Sequence, residues 1–196
     1  MRVHADAIQS DISKNISSNM EEDKIAILKN AIGSYPDFPK KGVLFRDVFG
    51  VLLQPAAFAT LRDVLLARVR HLEPAPEAVV ALDARGFLFG PLLALEFGLP
   101  FVPIRKRGKL PGAVKSVTYQ LEYGQDTFEI QDGALAKGQN VLIVDDLLAT
   151  GGTMAAACQL VSDVGASVVS CLVVIELREL RGRDKIAAPV HTVLQY

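Results

Sequence analysis

The chain has 196 residues, of which 50% are hydrophobic, and its formal net charge is −1. This composition is sufficient for a sizeable core and argues against the broad basic surface that non-specific nucleic-acid binding requires. No apolar run approaches the ~20 residues that span a bilayer, and the polar N-terminus lacks the apolar segment of a signal peptide. We therefore expect a cytoplasmic location and neither a nucleic-acid nor a membrane partner.

The cysteines agree with that location. Cys158 falls in a predicted helix and Cys171 in a predicted strand, without CxxC or His-ligand spacing. Core packing is therefore expected rather than a metal site, and a low cysteine content is typical of a reducing compartment.

The chain begins with a polar segment, a helix and a loop. Residues 1–20 are rich in Ser, Asn and Asp and are expected to be disordered. Over residues 21–32 apolar residues recur with helical spacing, and Gly33 is predicted to cap this helix. Residues 35–47 contain two prolines and a glycine, which predict a loop or an extended path.

Phe45 lies in this loop, and the residues alone leave two interpretations open. It can be tucked into the core beneath a surface loop, or it can stack on a flat heterocycle as one wall of a base pocket. In the second case, nearby backbone groups would distinguish bases, because each residue carries one donor and one acceptor.

Two predicted strands run into charged turns. A helix over residues 55–71 precedes an apolar strand at 78–82, which is followed by Asp-Ala-Arg-Gly at 83–86. This turn is either a surface ion pair or an anion site. A strand at 101–104 precedes residues 105–109, which hold four cations in five positions and form either a solvated loop or a neutralising site for a polyanion.

A β-hairpin is predicted next, with arms at residues 114–122 and 127–130 and a turn at 123–126. Glu122 and Tyr123 would lie near its tip. A strand pair that follows a basic loop is a candidate lid. From spacing alone, Glu122 is best explained as a solvated hairpin charge.

The most informative stretch is VLIVDDLLATGGT at residues 141–153. Its apolar run predicts a buried strand that stops at Asp145 and Asp146, where ligands bind in open α/β sheets. Gly151 and Gly152 let backbone N–H groups approach a ligand, and the next helix begins there with unpaired N–H groups. These features suit a phosphate, whereas the carboxylates suit the hydroxyls of a ribose. The stretch therefore predicts a ribose-5-phosphate site.

Two further strands are predicted at residues 167–175 and 190–194. Strand and helix signals alternate along the whole chain, which predicts an α/β fold with a mostly parallel central sheet flanked by helices.

The order of apolar run, Asp-Asp and Ala-Thr-Gly-Gly-Thr resembles the phosphoribosyl-pyrophosphate (PRPP) motif of type I phosphoribosyltransferases. From about residue 22 to the end, the chain is similar to the adenine-specific members, in the segments GVLFRD, LDARGFLFGP, IRKRGKLPG, LEYG and the closing LQY. The resemblance implies one domain over residues 21–196, with an N-terminal hood at about 21–50 and a lid at about 105–130. It also implies a homodimer.

The resemblance further implies a role for each matching residue, with Glu122 on the lid as the catalytic residue. The ribose and its phosphate would be bound by Asp145, Asp146, Ala149, Thr150, Gly151, Gly152 and Thr153. Pyrophosphate would be faced by Asp83, Ala84, Arg85, Arg105, Lys106, Lys109 and Tyr123. Adenine would be contacted by Leu44, Phe45, Arg46 and Leu177.

The chain departs from the family pattern at Ala84, where related enzymes often carry Ser. The backbone contacts of the Asp83–Ala84 peptide, for which a non-trans bond is implied, would remain. The implied reaction is adenine plus PRPP to AMP and pyrophosphate, a purine salvage step, with Mg²⁺ bound mainly through phosphate oxygens.

Three alternatives share the PRPP motif. An enzyme for hypoxanthine, guanine or orotate is disfavoured, because a 6-oxopurine pocket usually offers a Lys that has no clear equivalent near Leu177. A PRPP-sensing regulator would need a DNA-binding module that twenty polar residues cannot form. A catalytically dead paralogue stays open on sequence grounds, although the implied site residues are present.

Overall fold

The computed structural model describes residues 19–120 and 124–196. The chain divides into two compact units between Val64 and Leu65. The helices are α1 (19–31), α2 (Phe49–Leu52), α3 (Pro55–Arg70), α4 (Gly90–Phe97) and α5 (Gly152–Asp163), with 3₁₀ turns at Arg85–Leu88, Arg178–Leu180 and Gly182–Lys185. The strands are β1 (Gly33–Pro36), β2 (Leu44–Asp47), β3 (Ala78–Leu82), β4 (Phe101–Lys106), β5 (Val114–Gln120), β6 (Gln125–Gln131), β7 (Asn140–Leu148), β8 (Ser167–Glu176) and β9 (Val190–Gln195).

The second unit contains a mainly parallel sheet. Within the described residues it has seven strands in the order β5-β6-β4-β3-β7-β8-β9. Neighbours from β4 to β9 pair in parallel, whereas β6 pairs antiparallel with both β4 and β5. The predicted α/β fold is therefore confirmed, and the antiparallel part is the predicted hairpin.

The sheet core explains why the central strands read as unbroken apolar runs. All five residues of β3 are buried, as are the four apolar residues at 141–144 of β7. On α5, the buried residues recur at helical spacing and include Ala157, Leu160 and Val161, so this helix packs on the sheet through one face. The packing fixes the start of α5 beside the end of β7.

The strand that carries the acidic pair is longer than predicted. β7 does not stop at the acids but continues through both to Leu148. Strand β8 extends alongside it, so that Asp145 lies opposite Val173 and Leu147 opposite Ile175. The prediction was wrong because a ten-residue partner strand supplies hydrogen-bond partners beyond the point where the apolar run ends.

In the first unit, β1 pairs antiparallel with β2, from Gly33 opposite Asp47 to Pro36 opposite Leu44. The extended path predicted for residues 35–47 is thus partly a two-stranded sheet. The predicted role of Gly33 as a helix cap is wrong: it is the first residue of β1, and a Cβ there would lie 2.8 Å from the ring of Tyr35.

The hairpin prediction needs one correction. β6 begins at Gln125, so Asp126 belongs to a strand rather than to the turn, and it lies opposite Tyr119 of β5. The predicted tip residues Glu122 and Tyr123 lie outside the described residues. Within the described part of the chain, no helix is both long enough and apolar enough to cross a membrane.

Candidate active site

A crevice of ≈ 300 Å³ lies where β3 and β7 end, between the 3₁₀ turn after β3, the loop before α5, and the β5–β6 hairpin. The apolar side chains that line it come from Phe128, Leu147, Leu148 and Met154. The remaining lining residues are Asp83, Ala84, Arg85, Lys106, Tyr119, Asp126, Asp145, Asp146, Ala149, Thr150, Gly151 and Thr153.

The predicted acidic pair lies in this crevice, with Asp146 buried and Asp145 half-buried. Asp146 is 4% exposed, and its backbone N–H donates to Oδ1 of Asp145 over 2.9 Å. Nε of Arg85 lies 2.8 Å from Oδ2 of Asp146. That distance is typical of an ion pair, yet within the described residues no hydrogen bond of good geometry reaches Oδ2. We therefore regard the contact as a charge attraction that leaves an acceptor of Asp146 available for a ligand donor.

Burial dominates the electrostatics of the pair. The pKa of Asp145 lies well above its ordinary value, because burial and the neighbouring charge of Asp146 both disfavour ionisation. The pKa of Asp146 is also raised by burial, although the Arg85 guanidinium lowers it in part. Two adjacent acids with raised pKa values in a crevice are a common mark of a functional site.

The loop after β7 has the features of an anion site. Gly151 has a φ of 82°, a left-handed conformation that favours glycine, and it precedes the first residue of α5. The N–H of Ala155 donates to the carbonyl of Gly151, so the preceding N–H groups of the helix have no partner within it. Thr150 and Thr153 line the crevice beside those groups. An anion bound there would meet backbone donors and the positive end of the helix dipole.

The turn after β3 forms the opposite side of the crevice. The Asp83–Ala84 peptide bond is cis, in agreement with the non-trans bond that the sequence resemblance implies. Gly86 packs directly on β7, where a Cβ would lie 2.7 Å from the carbonyl oxygen of Val144. This close approach places Arg85 next to the acidic pair.

The predicted cations differ in their placement. Arg105 Nε lies 2.8 Å from Oδ2 of Asp83, and Lys106 Nζ lies 2.9 Å from Oδ2 of Asp126. Lys109 is exposed and is not among the residues that line the crevice, although its carbonyl accepts a bond from Arg105. The structure thus brings Arg85 and Lys106 into the crevice and pairs the cations at its edge with carboxylates.

Sequence reasoning missed Tyr119 and Asp126, which enter the crevice from the hairpin. The pKa of Asp126 is lowered, chiefly by its hydrogen bond with Lys106. The pKa of Tyr119 is raised by burial and by the charge of Asp126, against a hydrogen bond with Thr153 that lowers it. A sequence signal was available for Tyr119. Val117 and Tyr119 are two residues apart, as residues on one face of a strand are, and both pack on the core.

For the remaining predicted residues, only the local setting is described. Leu44, Phe45 and Arg46 belong to β2 of the first unit, where the Phe38 and Phe45 rings meet edge to face at 5.1 Å. Leu177 follows β8, and its N–H donates to the carbonyl of Leu148. The predicted catalytic Glu122 and Tyr123 lie outside the described residues.

Comparison with known proteins gives concordant matches. Residues 51–194 match the family model of the phosphoribosyl transferase domain. The chain is 55% identical over 175 residues to an adenine phosphoribosyltransferase of Drosophila pseudoobscura pseudoobscura, covering 89% of this chain and 97% of the relative. It is 48% identical over 182 residues to the Homo sapiens enzyme of that name, covering 90% and 99%.

Two solved structures extend the comparison. The adenine phosphoribosyltransferase of Saccharomyces cerevisiae, complexed with an imino-altritol bisphosphate and adenine, matches with a TM-score of 0.85 and 45% identity, covering 88% of this chain and 99% of that one. The Trypanosoma brucei enzyme, in complex with AMP, pyrophosphate and ribose-5-phosphate, matches with a TM-score of 0.80 and 28% identity, covering 88% and 78%.

Proposed function

Because the chain belongs to the adenine phosphoribosyltransferases, we propose that the crevice beside Asp145 and Asp146 is its active site. The enzyme converts adenine and PRPP to AMP and pyrophosphate, a reaction of purine salvage. One observation carries the assignment of the site: a buried Asp146 and a half-buried Asp145 stand near the end of β7, just before a glycine-containing loop at a helix N-terminus, in one crevice with Arg85.

The proposed ribose phosphate site uses the two parts of this motif for different groups. The phosphate would accept hydrogen bonds from the backbone and hydroxyls of residues 149–153. Asp145 and Asp146 would accept bonds from the ribose hydroxyls, because carboxylates placed directly against a phosphate would repel it. The available acceptor of Asp146 supports this division.

The proposed pyrophosphate site lies at the turn after β3, where the backbone of Asp83 and Ala84 and the side chain of Arg85 face the crevice. Arg105 and Lys106 would contribute from the edge, with Lys109 and Tyr123 as further candidates from the sequence. Breaking the bond to pyrophosphate gathers negative charge on the leaving group. Cations fixed near that charge stabilise the transition state more than the ground state.

Substrate binding would replace ion pairs within the protein by ion pairs with the substrate. Arg105 and Lys106 are held by Asp83 and Asp126 in the described structure, and a polyanion would compete with these carboxylates. Both pairs are partly exposed to solvent, so each contributes little to stability and its exchange costs little. The carboxylates then become available to a cation that accompanies the substrate.

Mg²⁺ fits this site as a partly substrate-held cofactor. Within residues 19–120 and 124–196, no cluster of three His, Cys, Asp or Glu side chains is arranged to hold a metal ion. Mg²⁺ commonly keeps several waters and binds through one or two carboxylates plus substrate phosphates, and Asp83, Asp126, Asp145 and Asp146 offer such oxygens in the crevice. When bound, it would neutralise the charge of the leaving group.

The adenine contacts and the catalytic residue are proposed from the sequence resemblance. Leu44, Phe45 and Arg46, with Leu177, would contact the base, with Phe45 stacked on its ring. Glu122 on the lid would handle the proton of the base, and the lid would keep water from the ribose cation. A Glu122→Leu enzyme that folds, binds AMP and turns over normally would remove Glu122 from this role.

We also propose a cytoplasmic homodimer. The cytoplasmic location is supported by Cys158 and Cys171, which are both free thiols. The dimer is supported by the family resemblance. Light scattering after gel filtration should give about twice the monomer mass, and a monomer that retains full activity would contradict this part of the proposal.

The site assignment is tested with two variants that carry the same charge change. Asp146→Asn should raise the KM for PRPP, because Asn offers one acceptor where the carboxylate offers two. Asp163→Asn, at the far end of α5, is the matched control and should behave as wild type. Pyrophosphate release is measured with adenine, hypoxanthine, guanine and orotate in separate reactions. An unchanged KM for PRPP in Asp146→Asn, or AMP bound in a crystal away from Thr150 and Gly152, would overturn the assignment.

A further inference from the structure

The phosphate loop rests against a second backbone segment far along the chain. A Cβ built on Gly151 would overlap the carbonyl oxygen of Gly182, and a Cβ built on Gly182 would overlap the carbonyl oxygen of Ala149. The two segments therefore touch main chain to main chain. No side chain fits between them, so a shift of Gly182 is transmitted directly to the loop.

The loop has no side-chain cap of its own. Gly151 occupies the N-cap position of α5, and no side chain there bonds to the first N–H groups of the helix. An anion site made of backbone donors works only if those donors are held to within about 0.5 Å. The position of this loop must therefore be set by its neighbours, and Gly182 contacts it main chain to main chain.

Arg183 fixes the segment that carries Gly182. Its Nε and one terminal nitrogen donate to the two carboxylate oxygens of Glu176, over 3.0 and 2.6 Å. The other terminal nitrogen donates to the carbonyl of Val190 over 2.6 Å. Arg183 thus ties the residue next to Gly182 to the end of β8 and the start of β9.

Glu176 is the anchor of this network. It is 5% exposed, and it also accepts hydrogen bonds from Thr192 and Gln195 of β9. Neither Glu176 nor Arg183 lines the crevice. Their hydrogen bonds nevertheless hold the residue next to Gly182, and Gly182 contacts the loop at 149–151.

We propose that Arg183 and Glu176 are positioning residues for the 5-phosphate of the substrate, acting through the contact of Gly182 with residues 149–151. This inference rests on the proposed assignment of that loop as the phosphate site. It predicts that loosening the network weakens binding of ligands that carry the phosphate and leaves ligands without it unaffected. A purely structural role would weaken both kinds of ligand alike or neither.

The test compares AMP with adenosine, which lacks only the phosphate, by titration calorimetry on the full chain. Gly182→Ala and Arg183→Met should each weaken AMP binding by about tenfold or more, with adenosine affinity within about twofold of wild type. Arg183→Lys keeps the charge but not the two-point contact, so its AMP affinity should lie between those of wild type and Arg183→Met. Arg181→Met is the matched control, because Arg181 lies on the same segment with its side chain 80% exposed, and it should change neither affinity.

The outcomes separate this inference from the site assignment. If wild type binds AMP no better than adenosine, the phosphate site itself is wrong. If wild type prefers AMP and folded Gly182→Ala retains that preference, the assignment stands and the positioning role is overturned. Should Arg183→Met fail to fold, Gly182→Ala and Arg183→Lys carry the test, and an unchanged AMP preference in either would refute the role.

Discussion

Glu176 should make the stability of the fold depend on pH in a way that one substitution isolates. Hydrogen bonds from Arg183, Thr192 and Gln195 lower its pKa from 4.5 to about 2. A group whose pKa is lower in the folded state adds stability that is complete above its unfolded pKa and is lost as the pH falls through the folded value. For these two pKa values the contribution is about 3 kcal/mol, of which about 1 kcal/mol is lost by pH 3.5.

The assay is urea unfolding of wild type and Glu176→Gln between pH 3.5 and 7. At pH 7 the variant should be less stable by about 3 kcal/mol, because it loses the stabilisation that corresponds to the lowered pKa of Glu176 and leaves the partly buried Arg183 without its charge partner. As the pH falls to 3.5, this gap should narrow by about 1 kcal/mol. Glu179→Gln, at an exposed position nearby, should show the same dependence of the free energy of unfolding on pH as wild type. A constant gap between wild type and Glu176→Gln would refute the reasoning.

Three further predictions concern the crevice. Asp126→Asn should tighten the binding of pyrophosphate without Mg²⁺ by about two- to fivefold at low salt, because it frees Lys106, whereas Asp132→Asn on the exposed end of the hairpin should not; equal calorimetric affinities would contradict this. Asp145→Asn should raise the melting temperature at pH 7 while raising the KM for PRPP, because a carboxyl whose pKa is raised by folding destabilises the fold when it is ionised, and Asn cannot ionise; a lowered melting temperature would contradict this. Gly86→Ala should destabilise the fold by about 1–3 kcal/mol in urea unfolding, because its Cβ would press on the carbonyl of Val144, and wild-type stability would contradict this.

Local sequence signals were sufficient for the central strands and for the acidic pair. The apolar run at 78–82 gave β3 with its observed bounds, because a strand covered on both faces has no polar alternation to obscure it. The same logic located the start of β7 but not its end. The extension of β7 through Asp145 and Asp146 depends on β8, a strand whose length the sequence near the acids does not reveal.

The missed parts of the crevice depend on contacts between distant residues. Asp126 was assigned to a turn because Gly124 precedes it, yet the pairing of β6 with β5 places it opposite Tyr119. The contact between Gly151 and Gly182 joins segments about thirty residues apart in the sequence, and no local pattern in either segment predicts that the two meet. Such contacts follow from the sheet order, which fixes neighbours that no local pattern specifies.

Burial alone does not distinguish the site from the scaffold, and the two buried carboxylates at 146 and 176 show why. Both are about 5% exposed, yet the pKa of Asp146 is raised and that of Glu176 is lowered. At Asp146 burial outweighs the lowering by Arg85 and by neighbouring hydrogen bonds, whereas at Glu176 the hydrogen bonds from Arg183 and β9 outweigh burial. Within the described residues, no hydrogen bond of good geometry reaches Oδ2 of Asp146. A buried carboxylate with donors on both oxygens holds the fold together, and a buried carboxylate oxygen that keeps an open acceptor is explained most simply by a ligand that brings donors. Under the proposed function, the ribose hydroxyls are those donors.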